Sequence, residues 1–206
     1  MPSNNTGSVV KELIREYPEK IALLLHPDRV YDSLFMGQYA IDNGAFKKFD
    51  ERKFFYLLDY ARKFHKPLFV TCPDVVGCHD RTLALWHHYY PRLVPYGYPI
   101  AFVAQDGCTL DAVPRECNWI FIGGTNDWKP HNIRPYIGIK PVHVGRVNSM
   151  NFLETCEQLG VASIDGTGWM RARDKKYYGF LSYLKGEQLG LPTSKESVLQ
   201  MQCNFQ

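Results

Sequence analysis

Six short apolar segments of this chain end in an acid, an amide or a glycine, and this repeated pattern limits the folds that are open to it. Unbroken apolar runs are typical of strands buried on both faces, as in a parallel sheet covered by helices. Helical patterns or long connections lie between the runs, which predicts a parallel α/β fold. The polar ends are Asp42-Asn43-Gly44, Asp74, Gln105-Asp106-Gly107, Gly123-Gly124, Gly145-Arg146 and Asp165-Gly166.

These polar ends would meet at one mouth if the sheet closes into a barrel, because the carboxyl ends of parallel strands lie at the same edge. A doubly wound open sheet would instead carry a Gly-x-Gly-x-x-Gly turn after its first strand, and the sequence has no such turn there. The sequence therefore predicts an α/β fold of the TIM-type (β/α) barrel class, with seven clear strands and an eighth that is irregular or absent.

The predicted helices and strands follow from the spacing of apolar residues. Apolar residues that recur every three or four positions predict helices over residues 9–16, 50–65, 80–90, 151–159 and 175–184, with a brief helix near 110–114. Strands are predicted over 21–25, 39–41, 67–71, 100–104, 119–122, 142–144 and 161–164. Asp50 is expected to cap the second helix, and Pro18 and Pro91 should end the first and the third.

Length and composition indicate one globular domain over residues 1–206, with a loosely ordered tail from about residue 190. No apolar run approaches the roughly 18 residues that span a bilayer, and the first eight residues lack the apolar region of a signal peptide. A cytoplasmic protein without a membrane partner is therefore expected. The six scattered cysteines predict reduced thiols and no metal site, and the net charge of +3 permits binding to phosphates without demanding it.

Three of the predicted strand ends carry an acid, namely Asp42, Asp74 and Asp165. Carboxyl groups that share a partly dry pocket push their pKa values apart, so that one stays ionised while another carries a proton. This division suits cleavage of a glycosidic bond, in which one carboxylate attacks the anomeric carbon and another manages the proton of the departing group.

The candidate residues also have ordinary structural explanations. The backbone at Gly123 and Gly124, with the Gln105 amide, suits the edge of a flat heterocycle because glycine lets the main chain come close. However, an aspartate after a strand is most often a turn former or a helix N-cap, a Gly-Gly pair is common in loops, and Gln105 fits a solvated surface equally well. The joint pattern is harder to explain in this way than any single residue.

The order of the motifs resembles that of the tRNA-guanine transglycosylase superfamily, most closely the DpdA-type DNA 7-deazaguanine transglycosylases of phages and bacteria. Asp42-Asn43-Gly44-Ala45-Phe46 is similar to the Asp-Ser-Gly-Gly-Phe signature of the tRNA enzymes. The later family motifs are a glutamine-glycine strand end, a Gly-Gly strand end, a glycine-bearing strand and an acid-ended strand. They match, in order, Gln105, Gly123-Gly124, Gly145 and Asp165. The resemblance spans about residues 21–168.

The resemblance implies a guanine transglycosylase that exchanges guanine in DNA for a free 7-deazaguanine base, 7-cyano-7-deazaguanine or a derivative, without a cofactor. It implies that Asp165 is the nucleophile that attacks C1′ and forms a covalent enzyme–DNA intermediate, and that Asp42 is the general acid and base. The groups implied to hold the outgoing and incoming bases are Asp74, Gln105 and the main chain of Gly123 and Gly124.

Two features depart from the tRNA enzymes. Their cysteine-rich zinc site after the last strand is replaced here by Arg171, Arg173, Lys175 and Lys176, with no cysteine before Cys203. This departure weakens a tRNA substrate and is consistent with DNA. The chain also begins near the family's second strand, which leaves seven visible strands. The short length and the DNA-type signature suggest a phage protein that acts in the bacterial host cytoplasm.

Basic and aromatic residues near the predicted mouth are candidates for contact with nucleic acid. Arg146 and Lys129 follow strand ends, and Arg171 and Arg173 follow the last acid. The tryptophans at 128 and 169 are candidates for stacking on an exposed base, although core or rim positions explain them equally well. The target nucleotide would have to be flipped out or single-stranded, because a duplex hides its glycosidic bonds.

Two other functions remain open from the sequence. One is a base-exchanging enzyme that acts on tRNA or on free nucleosides. The other is a non-catalytic barrel that binds nucleic acid as the partner of an active subunit. The presence of both Asp42 and Asp165 argues against the second of these.

Overall fold

The computed structural model describes residues 1–2, 7–28, 30, 32–166, 168–169 and 175–186. Seven strands in this part of the chain form one parallel sheet, in which each strand pairs with the next one along the sequence. The sheet curls into a half-barrel flanked by helices. A doubly wound sheet reverses its strand order at a switch point, whereas this order never reverses. The predicted incomplete barrel is therefore confirmed.

Helices and strands alternate along most of the chain. The strands are β1 Leu23–Leu25, β2 Tyr39–Ile41, β3 Val70–Thr71, β4 Ile100–Ala104, β5 Trp119–Ile122, β6 Val142–Val144 and β7 Ser163–Ile164. The helices are α1 Ser8–Glu16, α2 Glu51–Ala61, α3 His79–Leu93, α4 Met150–Leu159 and α5 Lys175–Lys185. Short 3₁₀ turns occur at Asp32–Phe35, Val94–Tyr96, Leu110–Ala112, Lys129–His131 and Arg134–Tyr136.

Both faces of the curled sheet are covered by apolar side chains. Successive residues of a strand point to opposite faces, so each strand contributes to two clusters. The smaller cluster lines the concave face of the sheet and consists of Leu24, Ala40, Phe69, Ala101, Val103 and Phe121. The larger cluster joins the other strand residues to the buried faces of the helices, including Phe54 of α2 and Trp86 of α3. This double burial explains why the strands read as unbroken apolar runs.

The two edges of the sheet are β1 and β7, and residues 1–2 lie between them. The Leu24 N–H donates a hydrogen bond to the Pro2 carbonyl (3.0 Å), and the Met1 ammonium donates to the Ile164 carbonyl (2.5 Å). Within the described residues, no eighth strand pairs with either edge. The first two residues therefore satisfy part of the hydrogen-bonding capacity that an open edge leaves exposed.

Some predicted boundaries differ from the observed ones. Helix α3 continues through Pro91, which was expected to end it. A proline removes one N–H donor from a helix, but Pro91 lies in the last turn, where buried Tyr89 and Leu93 hold the helix against the core. Helix α2 ends at Ala61 rather than at residue 65, and β3 and β7 are two residues long.

The start of α2 agrees with the prediction from the sequence. The Asp50 carboxylate accepts a hydrogen bond from the Lys53 N–H (3.1 Å), which confirms Asp50 as the N-cap. The tail predicted from about residue 190 lies outside the described residues. No helix in the described ranges is both long enough and apolar enough to cross a membrane.

Candidate active site

The polar strand ends that the sequence singled out lie at one edge of the sheet. Asp42 directly follows β2, Gln105 directly follows β4, and Asp165 directly follows β7. Asp74 and the Gly123-Gly124 pair follow β3 and β5 in the same sense. Because the strands are parallel and neighbouring, these side chains face a common mouth, and the charges of Asp74 and Asp165 both act on Asp42.

Asp74 is held by two amide side chains from neighbouring strand ends. Asn43 Nδ2 donates to Asp74 Oδ1 (2.7 Å) and to the Cys72 carbonyl (2.8 Å), and Gln105 Nε2 donates to Asp74 Oδ2 (2.6 Å). Gln105 Oε1 in turn accepts from the Gly77 N–H (2.8 Å). Both amides are buried, at 2% exposure each, so Gln105 is not a solvated side chain. The sequence did not predict Asn43 as part of the site.

The Asp74 carboxyl has the geometry of a recognition group. Burial raises the pKa of Asp74 above its usual range, and the hydrogen bonds from Asn43 and Gln105, with the nearby Arg146 charge, oppose this shift only in part. Each carboxylate oxygen accepts one amide hydrogen bond and has capacity for another. A ligand with two parallel N–H donors, such as the edge of guanine, could therefore bind both oxygens at once.

Asp42 differs from Asp165 in its affinity for a proton. Burial raises the pKa of its carboxyl to about 7, and the negative charges of Asp165 and Asp74 add to this effect. Hydrogen bonds from the backbone at Gly44 and Asn43 oppose it only in part. A carboxyl group with a pKa near neutrality can both donate and accept a proton at the pH of a cell, which is what a general acid and base requires.

Asp165 is held in the opposite state. Burial alone would raise its pKa, but the hydrogen bond and electrostatic attraction of His143, the Met1 ammonium and the N–H of Arg146 together hold the pKa of Asp165 below its usual range. His143 Nε2 lies 3.2 Å from Asp165 Oδ2, and the Arg146 N–H donates to Oδ1 (3.1 Å). Asp165 is therefore an ionised carboxylate whose charge acts on Asp42, a group that can stay protonated.

His143 was not predicted from the sequence. It is the central residue of β6, it is fully buried, and its Nδ1 lies 2.8 Å from the Ser163 hydroxyl oxygen. Val142 and Val144 on either side pack into the larger cluster behind the sheet, so the imidazole faces the concave side. The sequence did carry a signal for it, because a polar residue between two valines in a buried strand is expected to face the opposite side of the sheet from them.

The glycine pair is required by close packing. A Cβ on Gly123 would lie 2.4 Å from Gln105 Nε2, and a Cβ on Gly124, whose φ is +36°, would lie 2.3 Å from Trp128 Cε3. The Gly123 N–H donates within the sheet, and the Gly124 carbonyl accepts from Arg146 Nη2 (2.6 Å). The N–H and carbonyl groups of both glycines were expected to face a base. Two of these four groups, the Gly123 N–H and the Gly124 carbonyl, already form hydrogen bonds within the protein.

Asp106 follows Gln105 in the same strand end but has a structural role. Its Oδ1 accepts from the Thr125 N–H (2.7 Å) and its Oδ2 accepts from the Thr125 hydroxyl (2.6 Å). These two bonds tie the loop after β5 to the end of β4. The ordinary explanation of a strand-end aspartate as a loop anchor thus applies to Asp106.

The basic residues predicted to contact nucleic acid differ in their positions. Arg146, with a φ of 59°, extends its guanidinium to 4.9 Å from the centre of the Phe46 ring, which is 65% exposed at the mouth. Lys129 is 1% exposed and its ammonium donates to the Gly145 carbonyl (2.5 Å). The prediction of Lys129 as a surface contact is therefore wrong, because its side chain is enclosed by the protein. Arg171 and Arg173 lie outside the described residues.

Lys129 instead places a buried amine near the site. Burial, followed by the Arg146 charge, lowers its pKa to about 8, while Asp165 acts in the opposite direction. Trp169 is likewise buried, and its Nε1 donates to the Val147 carbonyl (2.8 Å) while its ring stacks on Phe180. It belongs to the core rather than to a base-stacking surface.

Replacing Gly123 by alanine tests whether the glycine pair and the amides form one recognition unit. The new methyl group would displace the Gln105 amide and weaken its hold on Asp74, so we expect about 1–3 kcal/mol of lost stability, together with about tenfold weaker binding of any base that Asp74 holds. Gly179→Ala is the matched control, because a Cβ there meets only Met150 at 3.7 Å. Calorimetric titration with free guanine and urea unfolding measure the two effects. Unchanged guanine binding by Gly123→Ala would contradict this assignment.

In the ranges that the structure describes, no group of three or more His, Cys, Asp or Glu side chains could hold a metal ion, and Cys72, Cys78, Cys108, Cys117 and Cys156 are free thiols. The candidate site consists of one acid with a pKa near 7, Asp42, one that stays ionised, Asp165, and a third, Asp74, that is fixed by two amides.

In comparisons with known proteins, no protein-family model matches this chain, and no curated protein matches it significantly.

Proposed function

We propose that this protein is a DNA guanine transglycosylase, which exchanges guanine in DNA for a 7-deazaguanine through a covalent aspartyl intermediate. The observation that supports this most strongly is that two carboxyl groups at one mouth have pKa values shifted in opposite directions. The pKa of Asp42 is raised to about 7, whereas that of Asp165 is held below its usual range. A double displacement at an anomeric carbon needs one carboxylate that attacks and one carboxyl that handles the proton.

In the first half of the proposed reaction, an oxygen of the ionised Asp165 attacks C1′ of a deoxyguanosine. The bond from C1′ to N9 of guanine breaks, and its electron pair goes to the guanine ring. The proton on Asp42 is transferred to a ring nitrogen of the departing guanine, which leaves as the neutral base. An ester-like bond between Asp165 and C1′ then holds the DNA on the protein.

In the second half, a 7-deazaguanine takes the place of guanine. The Asp42 carboxylate accepts the N9 proton of the incoming base, N9 attacks C1′, and Asp165 is released as a carboxylate. One C–N glycosidic bond is broken and a similar one is formed, so the exchange requires no redox partner and no energy-rich cofactor. Asp42 returns to its protonated state, as its pKa of about 7 favours near neutral pH.

Recognition of both bases at one site follows from the edge that they share. Guanine and the 7-deazaguanines carry the same pair of N–H donors at N1 and the exocyclic amine, and the Asp74 carboxylate presents two oxygens that can accept them. Asn43 and Gln105 fix the plane of that carboxylate through bonds of 2.7 and 2.6 Å. Because replacement at position 7 lies away from this edge, the site would accept both bases.

Contact with DNA in this proposal centres on Arg146 and Phe46. The guanidinium lies over an exposed aromatic ring at the mouth, which combines a cation for phosphate with a flat surface for an unstacked base. A base that reacts at C1′ must leave the duplex or belong to a single strand. The reaction belongs in a cytoplasm that holds DNA and free base, that of a bacterial host if the protein is encoded by a phage.

The test is incubation of the full chain with guanine-containing DNA and radiolabelled guanine, followed by a denaturing gel. Incorporation of label into DNA, together with a protein–DNA adduct that survives denaturation, is the expected result. Parallel reactions with tRNA and with deoxyguanosine separate DNA exchange from the other base-exchange reactions. Neither label nor adduct with any of these substrates would overturn the proposal and leave a non-catalytic nucleic-acid-binding barrel as the alternative.

A further inference from the structure

Both ring packing and hydrogen bonds hold His143 in place. Its ring is enclosed by the concave face of the sheet, with ring centres 4.5 Å from Phe121 and 5.1 Å from Phe69. It pairs in register with Ser163 across β6 and β7, and Asp165 lies two residues further along on the same face. The imidazole is therefore held in line between the serine hydroxyl and the carboxylate.

The hydrogen bonds determine which ring nitrogen carries the proton. An ionised Asp165 has no proton to give, so His143 Nε2, at 3.2 Å from Oδ2, must be the donor. In the neutral ring Nδ1 is then an acceptor, and the Ser163 hydroxyl at 2.8 Å donates to it. The Ser163 hydroxyl therefore favours the tautomer with the proton on Nε2. This tautomer donates the hydrogen bond to Asp165.

We propose that His143, oriented by Ser163, is a positioning residue that holds Asp165 as a fixed, acceptor-only carboxylate in the orientation required for attack. Its catalytic consequence rests on the proposed function, whereas its effect on Asp165 does not. The Arg146 N–H occupies Oδ1 and the histidine occupies Oδ2, so the carboxylate cannot rotate without losing a bond. Because the nucleophile is already oriented, the entropic cost of reaching the transition state is lower.

Burial, rather than the surrounding charges, keeps the ring of His143 neutral. Burial lowers the pKa of His143, and the Met1 ammonium and the Lys129 amine act in the same direction, while Asp165 opposes them. The Asp165 charge also acts on Asp42, and the backbone N–H of Arg146 donates to Asp165. A neutral donor leaves the negative charge on Asp165, where a nucleophile needs it, whereas a protonated ring beside it would spread and weaken that charge.

The experiment is a titration of the full chain carrying ¹³C-labelled aspartate carboxyls, with the Asp165 signal assigned by its loss in Asp165→Asn. In His143→Phe and in Ser163→Ala we expect the midpoint of the Asp165 titration to rise, by about 1 pH unit for His143→Phe and by less for Ser163→Ala. His143→Gln retains an amide donor and should give an intermediate value. His87→Asn, at an exposed position on α3, is the matched control.

Base exchange measured across pH gives an independent readout. The acid limb of kcat should move to higher pH by the same amount in His143→Phe, so that kcat falls about tenfold in acid and less near neutrality, with KM for DNA unchanged. An unchanged Asp165 midpoint in both His143→Phe and Ser163→Ala would overturn the inference. If His143→Phe fails to fold, Ser163→Ala alone decides. A shifted midpoint without any base exchange by the wild-type chain would support the positioning role and reject the proposed function.

Discussion

Replacing Asp165 by asparagine should abolish base exchange and the covalent adduct while leaving the chain folded. In the proposed reaction the lone pair that attacks C1′ belongs to an ionised carboxylate, and an amide oxygen is far less nucleophilic, so a loss on the order of 10³-fold or more in kcat is expected. Label incorporation and adduct formation on a denaturing gel measure it. Since the proposed adduct forms on Asp165 itself, both signals should vanish together.

Asparagine is a better choice than alanine because the surrounding hydrogen bonds can adjust to it. Its oxygen can still accept from the Arg146 N–H, and its amide can donate to His143 Nε2 if the ring moves its proton to Nδ1, which then donates to Ser163. Asp59→Asn is the matched control, because Asp59 is an exposed acid on α2 that bonds the Tyr96 hydroxyl. An adduct that persists in Asp165→Asn would assign the nucleophile to another residue.

The sequence was a good guide to the strands because their signals are local. A strand buried on both faces needs a continuous apolar run, and the change to polar residues at its end is visible without knowledge of the fold. The positions of Asp42, Asp74 and Asp165 at the mouth follow from that change and from parallel pairing alone. The opposite pKa shifts of Asp42 and Asp165 could not be predicted from the sequence, because they depend on burial and on the charges and hydrogen bonds around each carboxyl.

The features that the sequence did not reveal depend on side-chain direction. Lys129 follows a strand end, as a surface cation would, yet its side chain turns inward to the Gly145 carbonyl and is enclosed there. Asn43 was visible only as part of a turn-forming motif, and its bond to Asp74 joins residues 31 positions apart. His143 could have been identified from strand alternation, which puts a residue flanked by two core valines on the opposite face.

Asp42 leads to a prediction in which stability and activity change in opposite directions. The pKa of its carboxyl is raised from 3.8 to about 7, so the folded chain binds this proton more tightly than the unfolded chain does. Between about pH 4 and pH 7 the folded state therefore loses stability as pH rises, and above pH 7 the whole cost of a buried charge is present. Full burial would make that cost about 4 kcal/mol, and the partial exposure of Asp42 reduces it to about 2 kcal/mol.

Asp42→Asn removes the titrating group, so the variant should be more stable than the wild-type chain by about 2 kcal/mol near pH 8, with little difference near pH 4. It should also lose base exchange by about 10²–10⁴-fold, because the amide can neither give nor accept the proton of the base. Urea unfolding at both pH values and label incorporation into DNA measure these effects, with Asp59→Asn as the control. A stability difference that does not vary with pH would mean that Asp42 ionises as an ordinary surface acid. The proposal that it supplies the proton to guanine would then have no support.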